Sequence, residues 1–365
     1  MSHPTLPALG WHDDLQSSLD SLSDPTLIPA RVAAEHRGRL ALFTSDGPLQ
    51  ALPFRPPDDP AFDTGLDPHP RVGDWVAVER TVADAPARIR AVFPRRSALL
   101  RQAAGRRTEA QVVAANLDVV FVVTSLNRDL NPRRVERTLV AVRSAGITPV
   151  VVLTKADLDP AGHPAALRAL DAVARDTDVL LTSAVWGTGI DELDRWLGPG
   201  RTAAFVGMSG VGKSTLVNHL LGADTQRVQE QRRSDDRGKH TTTHRELFVL
   251  PGDRGVLLDT PGIRELQLWG GEGVDASLEA TFADVEALLG QCRFRSCGHS
   301  DEPGCAVQDA IASGELPAGR WSSYLKLQRE AAFHRGRQDT RARREESRRL
   351  GKMYRSVQAD KRRGR

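Results

Sequence analysis

Residues Gly207-Met208-Ser209-Gly210-Val211-Gly212-Lys213-Ser214 satisfy the pattern GxxxxGK[ST]. Glycines in that pattern let backbone N–H groups converge on a phosphate, and the start of the following helix adds partial positive charge. The lysine neutralises β- and γ-oxygens, and the serine hydroxyl holds Mg²⁺. The pattern has the setting it needs. An apolar strand, Thr202–Val206, precedes it, and Thr215-Leu216-Val217-Asn218 opens a helix after it. The bland alternative, a glycine-rich turn that binds nothing, is disfavoured by that setting.

Upstream, an apolar strand ends in Thr154-Lys155-Ala156-Asp157 and another in Thr182-Ser183-Ala184. Alone, Lys-x-Asp is a common solvated loop. Two such segments at carboxyl ends of parallel strands lie where ligands of open α/β sheets gather. Asp157 accepts from both the ring N–H and the amino group of guanine. Adenine would leave that carboxylate unpaired, a rejection of about 1–3 kcal/mol or more. Lys155 would lie over the base, and Ser183-Ala184 would close its other edge.

Downstream, Leu257-Leu258-Asp259-Thr260-Pro261-Gly262 delivers Asp259 to the Mg²⁺ shell and Gly262 to the γ-phosphate. Between lies Gly238-Lys239-His240-Thr241-Thr242-Thr243-His244, in which a threonine, taken as Thr242, would reach Mg²⁺ and γ-phosphate in a loop ordered by GTP. Many GTPases place glutamine after the DxxG glycine to orient water; here Ile263 stands there and has no polar group. A switch-loop histidine is the replacement candidate, His240 before His244. The order is thus altered: base recognition, then phosphate loop, switch loop and DTPG.

The only cysteines are Cys292, Cys297 and Cys305, spaced Cys-x4-Cys-x-His-x5-Cys with His299. Three thiolates and an imidazole make a closed set for structural Zn²⁺, with iron–sulfur ligation a lesser rival. An odd, clustered count speaks against disulfides.

These residues need elements to hold them. The chain has 365 residues, 40% hydrophobic and 27% charged, enough for two or three domains. Residues 1–27 read as a flexible leader with one short helical turn around Trp11–Leu22. From Ile28 to Phe93, five strand-length runs fit a small barrel, of oligonucleotide-binding or SH3-like type. Beyond a polar joint at Arg101–Glu109, apolar strands alternate with helices, including Pro164–Arg175 and Ile190–Leu197, as in a doubly wound α/β domain with a parallel sheet. A helix over Leu278–Leu289 leads to the cysteines, and a charged helix starts near Trp321. Residues His334–Arg365 hold 13 Lys or Arg against 4 acids within a chain of net charge +3. RNA phosphates are the favoured partner of that tail over a merely solvated helix. No run has the roughly 18–20 apolar residues of a membrane helix, and Met1–Asp14 has no secretory pattern, so a cytoplasmic protein is expected.

Taken together, the chain resembles the small-subunit-dependent ribosome biogenesis GTPases called RsgA, YjeQ or YloQ. The resemblance spans about residues 28–335. It rests on Val72-Gly73-Asp74-Trp75-Val76, Ala115-Asn116-Leu117-Asp118, TKADL at 154–158, the phosphate loop, HTTTHREL at 240–247, DTPGIREL at 259–266, and the four ligands followed by Ala306-Val307. It implies an oligonucleotide-binding (OB-type) barrel at 28–103, a circularly permuted P-loop GTPase domain at 104–272 and a mostly helical zinc-binding domain at 273–335, followed by a basic tail at 336–365. It also implies GTP and GDP as ligands, Mg²⁺ with the nucleotide, one structural Zn²⁺, and the small ribosomal subunit with its rRNA as partner and stimulator. A monomer without membrane contact is expected. Thr154 departs from the family pattern, standing where asparagine is usual.

Overall fold

Alternating burial in one stretch and unbroken burial in another distinguish two kinds of strand. The computed structural model describes residues 3–36, 38–52, 69–80, 85–102, 110–126, 130–171, 173–222, 245–259, 266, 273–300 and 302–336. Two compact units result, Met1–Gln267 and Leu268–Arg365.

The leader is anchored, which corrects the expectation of a flexible extension. A 3-10 turn (Pro7–Leu9) precedes helix α1 (Asp13–Asp20), within the span where a helical turn was expected. Leu9 is fully buried, and the Trp11 ring meets Trp75 and Phe93 edge-on at 4.9 and 5.7 Å. Ala8 O accepts from Gly200 N at 3.2 Å. A few large apolar side chains, each contributing about 1.5–3 kcal/mol when fully buried, suffice to hold a segment that is otherwise polar.

The barrel strands are β1 (Leu27–His36), β2 (Arg39–Thr44), β3 (Gly47–Leu52), β4 (Trp75–Glu79) and β5 (Ala87–Val92). They follow the order β1-β2-β3-β5-β4, with β4 returning to pair with β1, and only β3–β5 is parallel. This is a closed five-stranded barrel. Along β5 inward and outward residues alternate, as one buried face requires. Ala30, Val32, Leu42, Val76, Val78 and Ile89 fill its interior.

Arg31 is the joint. Fully buried, it donates to Leu9 O, to Gly73 O at 3.3 Å and to Asn116 O at 3.1 Å, and lies 5.6 Å over the Trp75 ring. Burial pushes its pKa down to about 10, which leaves a cation at neutral pH. Gly73 has φ 95°, and a Cβ there would sit 2.1 Å from Ala115 O, so this crossing admits only glycine. Beside it, buried Asp74 accepts from Arg95 Nη2 at 2.7 Å and Arg71 N at 2.7 Å.

At the expected polar joint, the flanks pair as an antiparallel hairpin, β6 (Ala98–Gln102) and β7 (Ala110–Ala115); residues 103–109 lie outside the described ones. Then come β8 (Val119–Ser125), α2 (Pro132–Ser144), β9 (Thr148–Thr154), α3 (His163–Asp171), β10 (Val179–Leu181), β11 (Thr202–Val206), α4 (213–222), β12 (Glu246–Val249) and β13 (Val256–Asp259). Strands β10-β9-β8-β11-β13 are parallel, and β12 runs antiparallel to β13. Every residue of β8 and β11 is buried, as expected for strands covered on both faces. Asn131 caps α2, its side chain accepting from Arg134 N at 3.2 Å, and Pro132 occupies the first turn. The expected helix Ile190–Leu197 is instead a 3-10 turn, Asp191–Trp196, set between Gly189 and Gly198. Similarly, α3 stops at Asp171 rather than Arg175.

Barrel and α/β domain share one sheet. Strand β12 pairs with β1 at Glu246 and Ala34, and Glu246 also faces Asp259 of β13, so the eleven strands form one ladder.

In the second unit lie α5 (Val274–Thr281), α6 (Ala283–Leu289), α7 (Ala306–Ser313) and α8 (318–336). The helix expected over Leu278–Leu289 breaks at Phe282 (φ −116°, ψ 35°), whose buried ring meets Tyr324 edge-on at 5.5 Å and underlies Arg320 at 4.5 Å. Arg320 in turn grips Asp284 at 2.7 Å. No helix among the described residues is long and apolar enough to cross a membrane.

Candidate functional site

The loops singled out in the first unit all leave the same end of the parallel sheet. Thr154-Lys155-Ala156-Asp157 leaves β9, Ser183-Ala184 follows β10, Gly207–Ser214 follows β11, and Asp259 ends β13. Parallel pairing forces this, since strands running the same way end on one edge.

The phosphate-type loop needs its first glycine for closeness: a Cβ at Gly207 would lie 2.2 Å from Val123 O. Val211 is buried beneath the loop, while Ser209, Gly210, Ser214 and Thr215 are exposed. Lys213 folds back across the loop, donating from Nζ to Gly207 O at 2.7 Å and Met208 O at 2.6 Å. At its end α4 begins, presenting the N–H groups of a helix start to the same space.

Next to it, Lys155 adopts a left-handed backbone (φ 61°), uncommon without glycine and frequent where function constrains a turn. That turn is held from both sides. Ala156 N donates to Thr182 O at 3.1 Å, and His163 Nε2 lies 2.8 Å from Ala156 O. Ser183 Oγ donates to Asp157 Oδ1 at 2.6 Å, joining the two segments expected to surround the base.

Thr154 carries a role that sequence reasoning missed. Its hydroxyl lies 2.5 Å from Val211 O in the phosphate-type loop and 3.1 Å from Thr124 O at the end of β8. The residue that departs from the family pattern therefore straps the TKAD turn to the glycine-rich loop. The only clue in the sequence was its place immediately before Lys155.

Ser214, in the first turn of α4 after β11, and Asp259, the last residue of the neighbouring strand β13, offer a hydroxyl and a carboxylate, and this all-oxygen donor pair suits Mg²⁺. His240, Thr242 and Gly262, with Ile263 and His244, lie outside the described residues.

In the second unit, Cys292, Cys297, His299 and Cys305 converge, with ligand atoms all within 4.8 Å of one another. His299 Nδ1 is 3.4 Å from Cys292 Sγ and 3.6 Å from Cys305 Sγ. A tetrahedral zinc with ordinary Zn–S and Zn–N bonds separates such atoms by about 3.5 Å, so the set fits the ion. His299 takes a left-handed backbone (φ 57°), its carbonyl accepts from Gln308 Nε2 at 2.7 Å, and its ring meets Trp321 edge-on at 5.7 Å. Burial opposes ionisation of Cys292, but the N–H groups of Ala306 and Val307 at the start of α7, with the neighbouring thiols, outweigh it and hold that thiol below its usual range. Cys297 is pushed up to about 11, by burial first and then by the other two cysteines.

Known proteins align with this organisation. A family model described as RsgA GTPase matches residues 92–269. The protein named small ribosomal subunit biogenesis GTPase RsgA from Opitutus terrae is 44% identical over 368 residues, covering 98% of each chain. The protein of that name from Streptomyces avermitilis is 43% identical over 333 residues, covering 90% of this chain and 86% of its own. Among solved structures, YjeQ from Thermotoga maritima superposes with a TM-score of 0.58 at 25% identity, over 84% of this chain and 99% of its own. YloQ, described as a circularly permuted GTPase, gives 0.55 at 24% identity over 84% of this chain and 95% of its own, and supports the fold. Permuted order, strand-end loops and identity along nearly the whole length agree: the chain belongs to the RsgA GTPase family and is a GTP hydrolase.

Proposed function

We propose that this GTPase binds the small ribosomal subunit, assists its late maturation, and hydrolyses GTP to GDP and phosphate at a rate stimulated by the subunit. The observation that carries the reading is the gathering of the TKAD, Ser-Ala and phosphate-type loops and Asp259 at one end of a sheet that continues into an OB-type barrel. Relatives 43–44% identical to this chain are named for small-subunit biogenesis. On this reading residues 28–103 face RNA, 104–272 hydrolyse GTP, 273–335 hold a zinc-stiffened module and 336–365 form a basic arm for rRNA phosphates. The protein works in the cytoplasm as a monomer.

Asp157 accepts the two guanine donors while Ser183 fixes its carboxylate, Lys155 lies over the base, and Ala156 and Ala184 line its edge. The N–H groups of Gly207 to Gly212 and of Ser214 and Thr215 surround the phosphates, and Lys213 leaves its loop carbonyls for the β- and γ-oxygens. Ser214, Asp259 and Thr242 would hold Mg²⁺, which supplies charge neutralisation across those oxygens. Gly262 donates to the γ-phosphate. Ile263 leaves the attacking water without a glutamine, so His240 orients it, and intrinsic turnover is slow until the subunit orders the switch loop. Cys292, Cys297, His299 and Cys305 would hold Zn²⁺ with no position open to water, a purely structural role.

Turnover of GTP with and without purified small subunits tests the reading, together with co-sedimentation in a non-hydrolysable GTP analogue and in GDP. Stimulated turnover and analogue-dependent binding are expected, and His240→Ala should lose the stimulation while still binding subunits. Turnover indifferent to subunits would overturn the ribosomal role. Full stimulation in His240→Ala would assign the water to a group of the ribosome.

A further inference from the structure

Five large hydrophobic residues are exposed among the described residues of the first unit, and three of them border Asp157. Leu158, 60% exposed, follows it directly. Val185 and Trp186, 78% and 54% exposed, stand in the turn after β10. That turn is tied to Asp157 by a short relay: Trp186 N donates to Ser183 Oγ at 3.1 Å, and the same hydroxyl donates to Asp157 Oδ1 at 2.6 Å. A bridge between Ser183 and Thr188 closes the turn, so Val185 and Trp186 project from a defined loop. A contiguous exposed apolar patch rimmed by polar groups marks a place where a ligand or partner binds.

We infer that Val185 and Trp186 form the apolar wall of the guanine site, receiving the face of the base opposite Lys155. This inference rests on the nucleotide reading above. Purine rings stack favourably on aromatic side chains whatever their hydrogen-bonding edge. Asp157 then supplies selectivity through the edge of the base, and Trp186 supplies affinity through its face. The Ser183 hydroxyl couples the two, because one oxygen both positions the carboxylate and receives the Trp186 N–H. Leu158 extends the apolar border on the TKAD side.

Full-length protein should be titrated with GDP by calorimetry and, separately, by tryptophan fluorescence. Guanine stacked on Trp186 quenches its emission, and that quench disappears in Trp186→Phe even though the phenyl ring still stacks. Trp186→Ala should weaken GDP binding about tenfold, within the range for loss of one base–aromatic stack, while Trp186→Phe recovers most of it. Native calorimetric affinity in Trp186→Ala, with an unchanged quench in Trp186→Phe, overturns the inference and assigns the exposed patch to a macromolecular partner. Absence of any GDP binding to the native protein would instead overturn the nucleotide reading itself, so the two failures are separable.

Discussion

Replacing Thr154 by valine isolates one hydroxyl. The side chain is 4% exposed and keeps its β-branched shape in the variant, so the hydroxyl is the main thing removed. What disappears is the single proton shared between Val211 O at 2.5 Å and Thr124 O at 3.1 Å. A buried acceptor left without its donor costs about 1–3 kcal/mol. That cost divides between two measurable quantities: stability of the nucleotide-free protein, and order of the glycine-rich loop that the nucleotide must otherwise restore. If all of it falls on the loop, the GDP dissociation constant rises about 5- to 150-fold. If all of it falls on the fold, urea unfolding shows the same 1–3 kcal/mol at unchanged slope. Calorimetry of GDP binding and urea denaturation, done on the same preparation, should therefore recover losses that add to that range. Thr154→Asn is the complement, since its amide has two N–H groups and can serve both carbonyls; it should bind GDP at least as tightly as the native protein. Native affinity together with native stability in Thr154→Val would refute the strap.

Asp157→Asn should lower GTP affinity and raise affinity for xanthosine triphosphate, because the amide presents a donor where the carboxylate only accepted; unchanged GTP affinity would remove Asp157 from the base site. Zinc chelation, or Cys297→Ala, should unfold the residue 268–336 unit while GDP affinity stays nearly native, checked by metal analysis, circular dichroism and calorimetry; freshly purified protein without zinc would contradict it. Deleting residues 336–365 should reduce RNA affinity and flatten the log–log salt dependence by about 0.7–0.9 for each RNA phosphate that the tail neutralises; an identical slope would make the tail a bystander.

What could be read without coordinates was whatever chemistry dictates by spacing. Gly207 to Ser214 repeat a geometry that phosphate oxygens demand, and Cys292, Cys297, His299 and Cys305 repeat one that tetrahedral zinc demands, so both stand out as letters. The parallel sheet was legible because burial on both faces leaves runs such as Val119–Thr124 unbroken. Arg31 was not, because an arginine in a strand reads as solvent-facing until three carbonyls are found around it. Nor was the anchoring of Trp11, whose partners Trp75 and Phe93 lie more than 60 residues away. The break at Phe282 was hidden too, since local propensity favours one helix and only burial of the ring against Tyr324 and Arg320 interrupts it. Thr154 was noticed as a departure, yet its meaning required knowing that Val211 O was within reach.

The row Ala34, Glu246, Asp259 gives the molecule a mechanical property. Adjacent strands lie about 4.8 Å apart, so only two strand spacings, about 10 Å, separate the barrel wall from the carboxylate at the end of β13. Arg31 and Trp11 add contacts on the other side, so the barrel is joined by packed side chains as well as by the chain itself. A load on the barrel would enter β12 through the single Ala34–Glu246 pair and cross to Asp259 on β13. The protein is in this sense a short-armed lever, with its load point and its fulcrum in one sheet.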